Sequence, residues 1–200
     1  MKLFTNSHSP FARKVRVSAL ELGLDGRIEN LEVSLTPVSP HAGLRERNPL
    51  GKIPALITDA GEALYDSPVI CEYLDALAGG NRLFPANGPA RWRALRRQAL
   101  ADGIADAAVL VRYETAARPV PLQWREWLDG QWLKIRSALD ALEHDTLDGP
   151  FDIGVISIAC ALGYLDLRFP QEPWRQDHPS LSRWLGALAE RESLAATRPG

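Results

Sequence analysis

The chain predicts an α/β domain followed by an all-helical one. Strand and helix signals alternate over residues 1–79. A short Gly/Pro-rich break follows, and from Ala90 onward apolar residues recur at helical spacing alone. The first part reads β-α-β-α-β-β-α, a small mixed sheet with helices on both faces. The second part, residues 88–200, reads as helices throughout.

Leu3-Phe4-Thr5 is a short strand. Pro10 opens a helix at the position where a missing N–H costs nothing, Val15, Ala19 and Leu22 repeat at helical spacing, and Gly23 stops it. Ile28 to Val33 alternates as a second strand, and Ser39 to Arg47 is polar enough for only a short, poorly regular helix. Ala55 to Thr58 and Glu62 to Tyr65 flank Asp59-Ala60-Gly61 as a hairpin. Asp66-Ser67-Pro68 then caps a helix running to Leu77. Gly79-Gly80-Asn81 and Pro85 to Pro89 form the linker. Beyond it, Leu128, Trp132, Ile135, Leu139 and Leu142 make one amphipathic stripe, and Leu181, Trp184, Leu185 and Leu188 make another.

Composition narrows the function classes. Over 200 residues the net charge is −2, which argues against a dedicated nucleic-acid or membrane-surface binder. Two basic clusters (Arg13, Lys14, Arg16; Arg91, Arg93, Arg96, Arg97) read as solvated or interface faces of helices. The two cysteines, Cys71 and Cys160, lie far apart in apolar helical contexts. Without a CxxC they offer neither a redox pair nor a zinc knuckle, so they read as buried thiols of a reducing compartment. The apolar run Ile153 to Leu165 is too short to span a bilayer and predicts a buried core helix. Met1 leads straight into a strand, without a signal peptide's apolar core. A soluble, cytoplasmic protein that needs no metal is the expectation.

Three segments can carry chemistry. Ser9, between strand and helix, occupies the N-cap position; its hydroxyl either caps the helix, worth about 1 kcal/mol, or donates outward to an anion. Lys52-Ile53-Pro54 enters a strand, and a cis bond before Pro54 turns the Ile53 N–H and C=O outward toward an extended peptide. Asp66 and Ser67 start a helix. They either cap it or combine an acid for an ammonium with a hydroxyl and free N–H groups for a carboxylate, which is what an α-amino acid head group requires.

Ser9-Pro-Phe-x-Arg-Lys-Val-Arg, Asn48-Pro-Leu-Gly-Lys-Ile-Pro-Ala-Leu and Asp66-Ser-Pro-Val-Ile-x-Glu-Tyr-Leu resemble the three glutathione-site segments of the cytosolic glutathione transferases, in their order and spacing. Ala101-Asp-Gly-Ile-x-Asp-Ala and the helix ending Ala159-Cys-Ala-Leu-Gly-Tyr-Leu extend the likeness over essentially the whole chain, nearest to bacterial, serine-type members. The resemblance implies a thioredoxin-like first domain (1–79) that holds glutathione as co-substrate, and a helical second domain (88–200) that shapes an electrophile pocket. By position, Ser9 would hold the glutathione sulfur, with Phe11 beside it. Ile53 would pair with the cysteinyl backbone ahead of cis Pro54, and Asp66 and Ser67 would take the γ-glutamyl end. Lys52 and His41 would face the glycine carboxylate, and Asp102 would reach the site of a partner subunit in a homodimer. Phe11, Tyr113 and Tyr164 would line the electrophile pocket. The family's Ser/Thr-x-x-Asp capping box is replaced by Asp152-Ile-Gly-Val, so Asp152 can still cap but the reciprocal acid is missing.

The energetics permit one serine to do this work. Lowering a thiol pKa from about 8.5 by two units needs about 2.7 kcal/mol of preference for the anion. A hydrogen bond to a charged acceptor supplies about 1.5–3 kcal/mol and a helix N-terminus about 0.3–1 more. A serine-hydrolase reading lacks a G-x-S-x-G elbow, and His8 is sequence-adjacent, so its side chain points away from that of Ser9. Omega-type thiol chemistry needs a cysteine where Ser9 stands, and the zeta-type Ser-Ser-Cys is missing. A non-catalytic binding or regulatory module with the same fold is the remaining alternative.

Overall fold

A computed structural model describes residues 1–199. Strands β1 (Lys2–Thr5), β2 (Glu29–Glu32), β3 (Ala55–Ile57) and β4 (Ala63–Leu64) form one mixed sheet in the order β2-β1-β3-β4. β1 and β2 run parallel, while β3 is antiparallel to both β1 and β4. Helices α1 (Pro10–Leu22) and α3 (Ser67–Leu77) pack against each other. Leu3 of β1 joins their core with Val15, Leu56, Ile70 and Leu74. Phe4, the next residue, projects from the opposite face, where its ring meets the edge of His41 before the short helix α2 (Ala42–Arg45).

The remaining chain is helical: α4 (Gly88–Ala116), α5 (Arg125–Glu143), α6 (Ile153–Arg168), α7 (Trp174–Asp177), α8 (Pro179–Leu188) and α9 (Glu192–Ala195). The apolar run predicted to be a core helix is α6. Its Ile153, Ile156, Ala159 and Cys160 complete the core under α1 and α3, while Ile158, Ala161, Leu162 and Leu165 complete the core between α4 and α5. A helix buried on nearly every side explains why its sequence shows no polar stripe. Gly154 lets α6 approach α4 closely: a Cβ there would lie 2.8 Å from the Ala94 carbonyl and 2.7 Å from the Arg97 Cβ. Among the described residues no helix is long and apolar enough to cross a membrane.

Local signals placed the helix ends well. Gly23 adopts φ +69° and its N–H bonds back to Ala19 and Leu20, ending α1 where the glycine stop predicted. Asp152 accepts from the Val155 N–H at 3.1 Å, so α6 is capped without the reciprocal acid.

The basic clusters require correction. Lys14 and Arg13 are buried, at 1% and 8% exposure, and Arg97 is buried as well. Arg97 pairs bidentately with Asp145 at 2.9 and 3.1 Å and donates to the Thr146 carbonyl, closing the loop after α5 onto α4. Charge counting along a sequence cannot separate a solvated arginine from one whose acid arrives from 48 residues away.

Candidate functional site

The sheet brings the three segments to one end. β1 runs toward the loop preceding α1, and Phe4 pairs with Ala55, so the start of β3 lies beside the exit of β1. β4 runs back along β3, with Leu64 opposite Leu56, and delivers Asp66 to the same end. Ser9, Ile53-Pro54 and Asp66-Ser67 therefore gather where α1 and α3 begin.

Ser9 is half-buried, and its Oγ accepts from the Ala12 N–H at 3.2 Å. The hydroxyl thus caps α1, as one of the two readings held. A hydroxyl that accepts through a lone pair keeps its hydrogen, so capping and donation are compatible. The approach loop is braced: Asn6 Nδ2 donates to the Val33 carbonyl at 3.0 Å, and Asn6 Oδ1 accepts from the His8 N–H at 3.0 Å.

The Ile53–Pro54 bond is cis, as the sequence reading required. The turn before it is built by Asn48, which is almost fully buried. Asn48 Nδ2 donates to the Lys52 carbonyl at 2.8 Å, and its Oδ1 accepts from the Leu50 N–H at 3.0 Å. Gly51 sits in this turn at φ +62°, a conformation that disfavours any side chain. Lys52 itself is exposed.

At the start of α3 the expected capping bond is absent. Asp66 occupies the N-cap position without a side-chain hydrogen bond to the helix, and its side chain is exposed. The Ser67 hydroxyl is buried at 1% exposure and has no hydrogen-bond partner among the described residues. Acid and alcohol are both unspent at a helix end whose N–H groups point outward. His41 behaves differently: its Nδ1 accepts from the Leu44 N–H at 3.1 Å as the cap of α2, which leaves the proton on Nε2.

Asp102 on α4 holds Lys14 of its own chain, accepting from Nζ at 2.6 and 2.8 Å. The resemblance pointed it toward a partner's site; within one chain its carboxylate is committed to α1. Burial pushes the Asp102 carboxyl up, Lys14 pulls against that shift, and nearby Asp66 adds to it. Asp106, one turn further along, is also raised, first by its surroundings and then by Asp102, against the pull of Lys52. The inner face of α4 thus presents two carboxylates to the sheet end.

Phe11 is half-buried against the helical core. Tyr164 belongs to that core at 6% exposure, and Tyr113 is half-buried. Burial raises both phenols; at Tyr164 the nearby charges of Arg168 and Arg112 oppose the rise. The Arg168 Nε is buried without a partner among the described residues. Cys71 and Cys160 are buried, and burial pushes each thiol up to about 11, so neither is a ready nucleophile.

Comparison with known proteins places the chain in a family. Residues 8–77 match the family model of the glutathione S-transferase N-terminal domain, and residues 125–187 match that of the C-terminal domain. The uncharacterized GST-like protein YibF of Escherichia coli (strain K12) is 37% identical over all of this chain and 98% of its own length. A glutathione transferase family member from Pseudomonas fluorescens Pf-5, solved with bound glutathione, is 53% identical and superposes with a TM-score of 0.97, covering 100% of this chain and 98% of that one. A second structure from that species, with bound S-(propanoic acid)-glutathione, is 51% identical with a TM-score of 0.92, over 100% and 99% of the two chains. The chain belongs to the glutathione S-transferase family.

Within this glutathione S-transferase fold, sequence reasoning singled out Ser9, the Ile53-Pro54 step and the Asp66-Ser67 pair. It did not assign roles to Lys14, Asn48, Asp106 or Arg168. Asn48 and Asp106 stood inside quoted segments, and an asparagine directly before Pro49 and three residues before Gly51 is a legible turn-builder. Lys14 read only as one of a basic cluster and Arg168 carried no signal, because a buried lysine and an arginine whose Nε lacks a partner among the described residues are defined only by what folds around them.

Proposed function

We propose that this chain is a working glutathione transferase, in which the hydroxyl of Ser9 keeps the glutathione thiol ionised for attack on a small electrophile. The observation that carries this reading is the start of α3, where the exposed Asp66 carboxylate makes no cap bond and the buried Ser67 Oγ has no partner. An ammonium facing Asp66 and a carboxylate accepting from Ser67 and the helix N–H groups satisfy both at once. The γ-glutamyl end of glutathione carries both groups. The extended cysteinyl segment then runs along Ile53, and the sulfur arrives at Ser9. Lys52, with the Nε2–H of His41, faces the glycine carboxylate.

In the bound complex the thiol loses its proton to solvent and the Ser9 O–H donates to the resulting thiolate. The α1 N-terminus favours the same negative charge. The thiolate forms a bond to the electrophilic carbon; a leaving group departs with the electron pair, or an activated double bond takes up a proton. No step requires the serine oxygen to act as nucleophile.

Phe11, Tyr113 and Tyr164 form the wall of the electrophile pocket in this reading. Arg168 and Arg112, whose charges act on Tyr164, favour an electrophile that bears an acid group. The S-(propanoic acid)-glutathione bound to the 51% identical relative carries such a carboxylate on the sulfur side. Assembly as a homodimer is part of the proposal and is supported by exposed apolar residues on adjoining helices. Val69 on α3 and Trp92 on α4 are solvent-facing, and an Arg91–Glu72 ion pair of 2.9 Å ties those helices together.

Calorimetric titration with glutathione, followed by conjugation of a generic aryl halide, tests the reading. Glutathione binding that weakens about tenfold or more in both Asp66→Asn and Ser67→Ala is expected, since each removes a charge-assisted contact. Wild-type protein that fails to bind glutathione would refute it. Binding without conjugation would instead identify a non-catalytic module of the same fold.

A further inference from the structure

A second cleft, of ≈ 390 Å³, lies between α1, α6, α8 and the segment after α9. Ser9, Ile53, Asp66, Tyr113 and Tyr164 take no part in its lining, so it is separate from the glutathione site and its pocket. Ala159, Leu167, Leu185 and Leu194 supply an apolar wall, and its charged lining is three arginines (Arg13, Arg175, Arg198) against the single carboxylate of Asp166. That carboxylate is already spoken for: it accepts from Arg175 at 2.7 and 3.0 Å and from the Trp174 indole N–H at 3.0 Å. Among the described residues the charge left over is positive and belongs to Arg13 and Arg198.

Arg13 is the informative residue. It is 8% exposed, yet makes no ion pair with any acid among residues 1–199. Two of its guanidinium nitrogens are satisfied, Nη2 by the Leu194 carbonyl at 3.1 Å and Nε by Thr197 Oγ1 at 3.4 Å. The third, Nη1, lies over Gly163 in space that a side chain would fill: a Cβ on that residue would sit 2.3 Å from Nη1. A buried guanidinium held in place from two sides, with its remaining nitrogen at an apolar cleft, is the arrangement that binds an anion with a hydrocarbon body.

We propose that this cleft is a second ligand site, independent of the glutathione site, for a small amphipathic organic anion. The carboxylate of a medium-chain acid accepts from Arg13 Nη1 with Arg198 at the mouth. Its chain lies against Ala159, Leu167, Leu185 and Leu194. The cleft volume falls within the ordinary range of small-molecule sites, about 300–1,000 Å³. Burial of Arg13 behind the apolar wall weakens the screening that water would impose on the pair.

Octanoate is the probe, with octan-1-ol as its uncharged counterpart, each titrated into the full chain by calorimetry with and without saturating glutathione. Octanoate is expected to bind about tenfold or more tightly than the alcohol, because the hydrogen bond to a charged group is lost with the charge. Glutathione is expected to leave that affinity unchanged. Arg13→Met should reduce the octanoate preference to near parity. Because Arg13 also ties down the C-terminal segment, Gly186→Phe provides a separate check: nothing lies within 4 Å of a Cβ at Gly186 on α8, so a bulky side chain there fills the cleft without disturbing the core. It should abolish octanoate binding and leave glutathione affinity and thermal stability intact. The proposal is overturned by no octanoate binding, by competition between octanoate and glutathione, by equal affinity for acid and alcohol, or by binding that survives Gly186→Phe.

Discussion

Replacing Ser9 by alanine removes one oxygen with two separable effects, and each has its own size. As an acceptor, Oγ satisfies the Ala12 N–H at 3.2 Å, and loss of such a cap costs about 1 kcal/mol. For a chain of this length that lowers Tm by about 2–4 °C. As a donor to thiolate, the same oxygen contributes about 1.5–3 kcal/mol, which at about 1.4 kcal/mol per unit corresponds to one to two pKa units. If the bound thiol starts about two units below its free value of about 8.5, the variant should raise it to between about 7.5 and 8.5. At neutral pH the thiolate share then falls from about three quarters to roughly a quarter or less. Ultraviolet thiolate absorbance of the glutathione complex, titrated against pH, reads this directly. Ser9→Thr, which keeps both cap and hydroxyl, should restore most of the thiolate. A Ser9→Ala variant whose Tm falls while the titration midpoint stays put would show that the oxygen only caps the helix, and the proposed mechanism would be wrong.

Four other outcomes follow from particular contacts. Asp102→Ala strands the buried Lys14 ammonium and should cost about 3 kcal/mol in chemical denaturation. Lys14→Met keeps the packed stem and leaves only a part-exposed carboxylate, so it should cost clearly less; equal losses would contradict the asymmetry of burial. Gly154→Ala places a methyl against the backbone of α4 and should destabilise by about 1–3 kcal/mol, despite alanine's better helix propensity; a more stable variant would refute the close-contact account. Glu21 accepts from Arg191 at 2.6 and 2.7 Å and from Ser193 at 2.5 Å, and Arg191 chiefly holds its pKa below the ordinary 4.5. A depressed carboxyl adds stability that is present above pH 4.5 and lost as pH falls through the folded value, so the protection of α9 amides relative to intrinsic exchange at each pH should fall in that window for the wild type but not for Glu21→Gln. Arg168→Leu should narrow the rate advantage of acrylate over acrylamide as acceptor of glutathione; an unchanged ratio would remove Arg168 from electrophile recognition.

By itself the sequence determined what depends on neighbours in the chain. The stop at Gly23, the Pro10 start, a buried helix over the apolar run Ile153 to Leu165 and the turn positions of Ser9, Pro54 and Asp66 all follow from local stereochemistry and hydrophobic period. The ligand was legible only through the likeness of three turn segments to the glutathione-site segments of the family, and the mixed sheet brings those segments to the same end. Tertiary structure alone decided which charged residues are solvated and which hydroxyls are satisfied. Lys14 meets its acid 88 residues away, Arg13 rests on a glycine of α6, and the Ser67 Oγ is buried without a partner among the described residues. Burial and pairing are properties of three-dimensional neighbourhoods, and a linear pattern of charges holds no record of them.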